Sequence, residues 1–548
     1  MNIHHPPTPV EAYRLRRRAR RGWLILLLVL LVGSLVYWRF IADHPQDFSD
    51  DAQHFKYGSI GSDLEGGIPY PIWRVLPQAF PELLPDPQAF RAIARQERDG
   101  LDGYRQFGFL VEANGPEPAR PVGFSLRLAG VERIGMNCAI CHVSTLRVTT
   151  DLDPERLYGG RAPDLEGNGQ RLVIMGMPAN TVDLGGYFRF LLAAAASPRF
   201  TADNLMTYVE QAFDPGLVEG WLLRRSIPLL RASLLERRAQ LGDFLARVPA
   251  FGPGRVDTFN PYKLIVFRFP DDGTIGTADF PSLWNQAPRE GMQLHWDGNN
   301  TSVFERNISA SLGAGATPVS LDMPRMLRVA AWVGSPDPRA QPSAQERAAA
   351  IRRARAEPRP AQGQLPIPGY PFAIDRALAA RGEPLYREHC AACHDWQGAY
   401  VGQVVPIGLI GTDPARLDSF TEELIANQNT LGAGQWWRFK HFRKTQGYAN
   451  MPLDGLWARA PYLHNGSVPT LADLLESPGA RPVTFYRGDD QYDPRRVGFR
   501  SDRALSLDGR RLFLFDTRLP GNGNGGHAYG LTLGGEDKQA LLEYLKTL

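Results

Sequence analysis

Four cysteines occur among the 548 residues of this chain, and all four fall in two copies of one pentapeptide. Cys138, Ala139, Ile140, Cys141 and His142 form the first copy; Cys390, Ala391, Ala392, Cys393 and His394 form the second, far downstream. No thiol is left for a disulfide or a nucleophile. The run Cys-x-x-Cys-His is the attachment sequence of c-type haem. Two thiols one short turn apart can form thioethers to the vinyl groups of one porphyrin, and the imidazole that follows then serves as proximal iron ligand. A zinc ribbon would place its two cysteine pairs some tens of residues apart, and a redox dithiol does not need histidine directly afterwards twice. The pair of motifs therefore predicts two covalently bound haem c groups, held by Cys138, Cys141, Cys390 and Cys393, with His142 and His394 on the irons.

Attachment of c-type haem takes place outside the cytoplasmic membrane, and the N-terminus supplies a means of getting there. Arg14, Arg16, Arg17, Arg18, Arg20 and Arg21 precede GWLILLLVLLVGSLVYW (Gly22 to Trp38), which carries no charge and spans about 26 Å as a helix. Phe40, Ile41 and Ala42 extend it beyond Arg39. Trp23 at one end and Tyr37 with Trp38 at the other suit the two aromatic belts, and the arginines keep the N-terminus in the cytoplasm. VYWRFIAD is a poor small-x-small cleavage site. An uncleaved single-pass anchor in a bacterial inner membrane is predicted, with the bulk of the chain in the periplasm.

The net charge of +3 comes from that arginine tail; the remainder is slightly acidic, so nothing points to a nucleic-acid surface. A hydrophobic fraction of 43% with 22% charged residues excludes a polytopic membrane protein. Fifty-five glycines and 45 prolines predict a folded but loop-rich chain, and its length exceeds what one core supports. Residues 1–21 read as a cytoplasmic tail, 22–42 as the transmembrane anchor and 43–95 as an extended, proline-dense lead-in. A first domain is expected over 96–333, a linker rich in Pro, Ala, Arg and Gln over 334–371, and a second domain over 372–548. Apolar spacing predicts helices at Tyr187–Ala196, Asp203–Phe213 and Glu536–Leu548, with a charged helical patch at Ala344–Ala356.

The stretches GMNCAICH, GMPANTVDLGGYFRFLL, HWDGNNTSVFERNISASLGAGATP, LYREHCAACHDWQG and APYLHNGSVPTL resemble the bacterial di-haem cytochrome c peroxidase superfamily. That superfamily includes the enzyme maturing methylamine dehydrogenase and the rubber oxygenases, and the rubber-oxygenase branch is the most similar. The resemblance implies a mostly α fold: two cytochrome c-like helical haem domains with long irregular loops, here preceded by one N-terminal transmembrane helix. It implies an N-terminal haem that is the reaction centre, meeting peroxide or dioxygen, and a C-terminal haem for electron transfer. The expected function is that of an oxidoreductase with peroxidase-like activity, served by a periplasmic or membrane electron donor or acceptor. A pure electron carrier and a haem-dependent dioxygenase of an apolar, polyisoprene-like substrate are the alternatives. Calcium often lies between the haems of such peroxidases, but no motif here requires it.

His295 is the one histidine between the two motifs apart from His389, which adjoins Cys390 and reads as a surface residue. His295 lies beside Trp296 in a loop suited to a distal pocket. Trp296 is a candidate electron relay and Glu305 a candidate acid-base group. His441, in RFKHFRK, reads as a solvated face or a partner-docking patch. In the peroxidases a methionine shortly after an HDGS segment completes the second haem; here Asn465 replaces the acid and no methionine follows Met451. His527, in GNGNGGHAYG, is therefore assigned as the sixth ligand, with His464 and Met451 as alternatives. Gly521, Gly523 and Gly526 mimic a dinucleotide-binding spacing, but Pro520 intervenes and no βαβ unit surrounds them. They are expected to let the backbone pass close to a flat ring. The sequons at Asn299, Asn300, Asn307 and Asn465 are read as chance.

Overall fold

The computed structural model describes residues 8–40, 42–93, 99–147, 165–166, 171–337, 339, 343–356 and 364–548. Helix α1 (Pro9–Phe40) continues through the arginines into the apolar run. It is long and apolar enough to cross a membrane, and no part of the apolar stretch is buried against the rest of the chain.

Where proline density predicts an extended lead-in, the chain instead folds into α2 (Asp51–Tyr57) and α3 (Tyr70–Ala79). The prolines of α3 are tolerated for two local reasons. Pro71 falls in the first turn, where its missing N–H has no helical partner to lose. Pro77 orphans the carbonyl of Trp73 four residues back, and the Tyr104 hydroxyl donates to that carbonyl at 2.6 Å. Trp73 and Tyr104 also stack, with ring centroids 4.0 Å apart. Short strands β1 (His44–Pro45) and β2 (Ile68–Pro69) flank a hairpin of β3 (Phe124–Ala129) and β4 (Val131–Met136) in an antiparallel sheet of order β1-β3-β4-β2.

The helices α4 (Leu184–Ala196), α5 (Ala202–Phe213) and α6 (Leu217–Leu241) form where apolar spacing predicts the first two. With α3 and the sheet they enclose a core running from Ile68 to Phe280. A larger core runs from Phe55 to Leu545 and draws on both expected domains, with Leu365 and Tyr370 of the 334–371 stretch inside it. Helices α7 (Val303–Gly313) and α8 (Met323–Trp332) pack there. Of the proposed linker, Ala344–Ala356 is helical, and 338, 340–342 and 357–363 lie outside the described residues.

Helix α9 (Arg376–His389) leads into the second pentapeptide and crosses the last helix, α10 (Gly535–Leu545). The crossing is close because Gly382 has no side chain: a Cβ there would stand 2.0 Å from the carbonyl oxygen of Ala540. Tyr386 and Tyr544 meet beside it with centroids 5.1 Å apart.

Candidate haem sites

Both pentapeptides adopt the same local structure. Cys138 precedes a single helical turn, Ala139–His142, and Cys390 precedes another, Ala391–His394. The N–H of Cys141 donates to Cys138 O at 3.3 Å, and that of Cys393 donates to Cys390 O at 3.2 Å. One turn thus presents two thiols and ends on an imidazole. All four thiols are free. Burial pushes the Cys138 and Cys390 thiols up to about 11 and raises those of Cys141 and Cys393. Redox dithiols need the opposite shift. Nor do the thiols gather for zinc: among the described residues no three His, Cys, Asp or Glu side chains cluster as a metal site.

The two imidazoles are held alike. His142 Nδ1 lies 2.9 Å from Pro281 O, and His394 Nδ1 lies 2.8 Å from Met451 O. A carbonyl only accepts, so in each ring Nδ1 carries the proton and Nε2 keeps its lone pair, the tautomer a metal ligand requires. Burial, with the nearby charge of Arg306, pushes His142 down to about 3, and burial also lowers His394. Both rings are neutral at ordinary pH.

Across from His394 stands His527, with ring centroids 6.1 Å apart and planes at 43°. With metal–nitrogen bonds of about 2 Å, two imidazoles on opposite sides of one metal hold their centroids about 6 Å apart. The His527 Nδ1 is buried without a hydrogen-bond partner, and burial pushes this ring too down to about 3. His527 adopts φ 47°, an uncommon backbone for a residue with a side chain. The surroundings hold it there. Its N–H donates to Ile410 O at 2.8 Å, and Arg481 donates to the carbonyls of Asn524, Gly526 and His527 at 2.7, 2.9 and 3.2 Å. Gly526, at φ +70°, lies against other backbone: a Cβ there would be 2.3 Å from Gly411 C. At this position the glycine allows two chain segments to touch, rather than a segment and a flat ring.

The alternatives for that ligand sit elsewhere. Met451 gives its carbonyl to His394, and its thioether lies 3.7 Å from an Arg289 nitrogen. It supports His394 from behind. His464 is stacked on Tyr448 at 4.0 Å, and its carbonyl accepts from Asp279 N–H at 2.9 Å. The neighbours of His464 explain the segment that resembles HDGS. Asn465 donates to Gly521 O at 3.3 Å and Gly523 O at 2.9 Å, and the Ser467 hydroxyl donates to Gly523 O at 3.0 Å. The segment fastens the loop that presents His527.

Trp296 lies between the two sites. Its indole N–H donates to Asp279 O at 2.8 Å, two residues before the carbonyl that holds His142. Its own carbonyl accepts from Ala449 N–H at 2.8 Å, two residues before the carbonyl that holds His394. Covalent and hydrogen bonds thus run unbroken from one motif histidine to the other through this residue. Asp279 is also gripped by Arg487 at 3.0 Å and faces Arg255 at 3.7 Å, yet burial still pushes it up to about 6.

His295, the distal candidate, adopts φ 64°, with Nδ1 2.5 Å from Asn299 Oδ1. Asn299 Nδ2 donates to the Asp297 carboxylate at 2.9 Å. That contact fixes the amide, so Oδ1 faces the imidazole, Nδ1 carries the proton and Nε2 is the free base. Burial and the charge of Arg306 push His295 down to about 3. Arg306, on α7, acts on both His142 and His295, and no hydrogen bond or ion pair is formed by its guanidinium with another described residue. Sequence reasoning passed over it, as it did Arg481; the one signal was a cation between the apolar residues Phe304 and Ile308.

Glu305, the acid-base candidate, turns the other way. It accepts from Lys440 N–H at 2.9 Å, His441 N–H at 3.1 Å, His441 Nδ1 at 2.7 Å and Asn300 Nδ2 at 3.1 Å. These four bonds fill the carboxylate's acceptor sites, so Glu305 latches the 440–441 segment and is not free to move a proton. Burial works against its charge, but the His441 and Asn300 bonds hold it below the usual carboxylate range. The bond to Glu305 raises His441. His441 is thereby a half-exposed partner of Glu305, and His389 lies beside Glu388 at 3.8 Å. Because the folded-state value of His441 is raised, the stability from this pair is full below about pH 6.5 and is lost as pH rises through the raised value. It is lost again in acid, as pH falls through the lowered value of Glu305. Thermal unfolding of His441→Gln against the unaltered protein is expected to show a deficit near about pH 6 that closes by about pH 9. A deficit independent of pH would mean that the imidazole acts only as a neutral hydrogen-bond donor.

The donor set fits haem c: paired protonated thiols on one turn, a neutral proximal imidazole behind them, and at the second site an opposing imidazole with an orphaned nitrogen. These features are those of c-type haem attachment sites. Residues 447–486, which carry Met451, His464 and the segment fastening the His527 loop, match the family model described as RoxA-like, cytochrome c-like. A cytochrome c-like domain is therefore present, which suggests a haem-binding role in oxidoreduction or electron transfer. The chain is 32% identical over 309 residues to the uncharacterized protein y4iM of Sinorhizobium fredii, covering 49% of this chain and 64% of the relative. It is 31% identical over 239 residues to the uncharacterized protein y4iJ of the same bacterium, covering 32% of this chain and 39% of that relative. The matches thus span less than two thirds of either curated relative.

Proposed function

We propose that the chain is a membrane-anchored, periplasmic di-haem c-type cytochrome and an oxidoreductase, in which the first site meets peroxide or dioxygen and the second handles electrons. The observation that carries this reading is the identical build of the two motif turns, with Trp296 bonded to the segments that support both. Cys138, Cys141 and His142 would hold one haem; Cys390, Cys393, His394 and His527 would hold the other. Haem c supplies an iron that changes oxidation state by one electron and, where a coordination position is open, takes up small oxidants.

The chain's own residues divide the work. Pro281 and Met451 keep the two proximal imidazoles in one tautomer and one orientation. His527 closes the second site with a second imidazole, which favours a lower potential than a methionine would. At the first site His295 Nε2 can accept a proton, and the uncompensated charge of Arg306 favours an anionic or polarised oxygen ligand. Trp296 offers a route for electrons between the two. Helix α1, with arginines before and aromatic residues at both ends, supports the anchored reading.

EPR and optical spectra of the oxidised and half-reduced protein, followed by peroxide, cyanide and dioxygen, test this. One haem is expected to respond and the other to stay low-spin. If neither responds in any redox state, the protein is an electron carrier. The RoxA-like match favours a second reading, a dioxygenase of an apolar substrate, which predicts that the responsive haem binds dioxygen stably and ignores peroxide.

A further inference from the structure

The N-terminal half of helix α6 carries apolar residues on both faces, whereas its C-terminal half exposes Glu236, Arg237 and Arg238. Leu223, Ile227, Leu234 and Leu241 form its buried stripe, and the opposite, outward face carries Leu217, Val218, Trp221 and Leu229, which are 95%, 70%, 57% and 71% exposed. A helix on the surface of a soluble body normally turns charged and polar residues outward. Here the outward face offers aliphatic side chains and an indole, with the guanidinium of Arg225 over the Trp221 ring at 5.2 Å and Arg224, exposed and paired with Asp203, beside it. Leucine and tryptophan on one face with arginine among them is the composition of helices that lie in a membrane interface.

The position of α6 says what covers it. It packs against β2 and β4, and the foot of α1 meets the same sheet: the Gly130 N–H, in the β3–β4 turn, donates to Arg39 O at 2.9 Å. Glu132, two residues further on, is raised by burial and then by the like charge of Glu219, against the opposing charge of Arg39. The end of α6 that exposes Leu217, Val218 and Trp221 therefore lies beside the point where α1 leaves the body.

We propose that the outward face of α6 docks on the lipid bilayer that α1 crosses, its apolar side chains among the acyl chains and Arg224 and Arg225 at anionic headgroups. The inference rests on the reading of α1 as an anchor. Docking at two points would hold the haem domains in a fixed attitude to the membrane instead of letting them swing on one tether.

The full-length protein with both haems attached is placed in vesicles of phosphatidylethanolamine and phosphatidylglycerol containing a phospholipid with a photoactivatable acyl chain. After illumination, peptides carrying lipid are mapped by mass spectrometry. Lipid is expected on α1 and on the peptide ending at Arg224. With Leu217→Ser, Val218→Ser and Trp221→Ser together, labelling of α6 should fall by about fivefold or more, while α1 labelling and the haem absorbance stay as they were. Labelling confined to α1 overturns the docking. So does a sedimentation mass in detergent that doubles and is halved by the triple variant, since a second copy would then cover the face. Lipid on neither helix removes the anchor itself, and the docking with it.

Discussion

Replacing His527 with alanine is expected to convert the second haem from a six-coordinate, low-spin state to a high-spin or ligand-exchangeable one, and to leave the first haem as it was. The expectation rests on three features of the ring: its centroid stands 6.1 Å from that of His394, its Nδ1 has no protein partner, and its backbone is held in a left-handed conformation. A strained residue persists only where its surroundings over-determine it, and here Arg481, Asn465, Ser467 and the carbonyl of Ile410 all converge on the loop. Arg481→Gln should therefore give a partial version of the same change, a mixture of spin states, because the imidazole remains but its loop is loosened. An unchanged low-spin spectrum in His527→Ala would assign the sixth position to another residue and detach the glycine loop from haem chemistry.

Replacing Cys390 and Cys393 together with alanine is expected to lower the mass of the mature protein by one haem and to disorder the region around α9 and α10. Replacing Cys138 and Cys141 should remove the other. Neither pair forms a disulfide, and all four thiols are raised by burial, so the substitutions remove no redox couple. On the proposed reading, what they remove is the covalent tie to a haem. Intact mass spectrometry from a maturation-competent host decides the matter. One haem or none in the unaltered protein would undo the di-haem reading at its root.

How far the sequence could be read depended on the range of the interaction. A Cys-x-x-Cys-His run closes on itself in one turn, so its local shape follows from spacing alone, and the helices at Leu184–Ala196 and Ala202–Phe213 follow from apolar residues three and four apart. The lead-in was misread because the carbonyl that Pro77 orphans is rescued by Tyr104, which no local pattern announces. The same holds for the supports of the sites. Pro281 meets His142 across 139 positions of sequence, and Met451 meets His394 across 57. Each is a backbone carbonyl, carrying no side-chain signature at all. Glu305 looked like an acid-base group because its type suited the task; only its four hydrogen bonds show that it is already engaged.

The core that begins at Phe55 and closes with Leu545 bears on how such a chain is made. Cys138 and Cys390 both pack against it, and Cys141 packs against the neighbouring core. The core against which Cys138 packs is thus not complete until Leu541, Leu542 and Leu545 have been synthesised, which takes on the order of tens of seconds at usual rates of translation. Through that interval the packing around the first pentapeptide is incomplete. If Cys138 and Cys141 hold a haem as proposed, the shared core leaves a period in which the haem can be attached before the site is sealed.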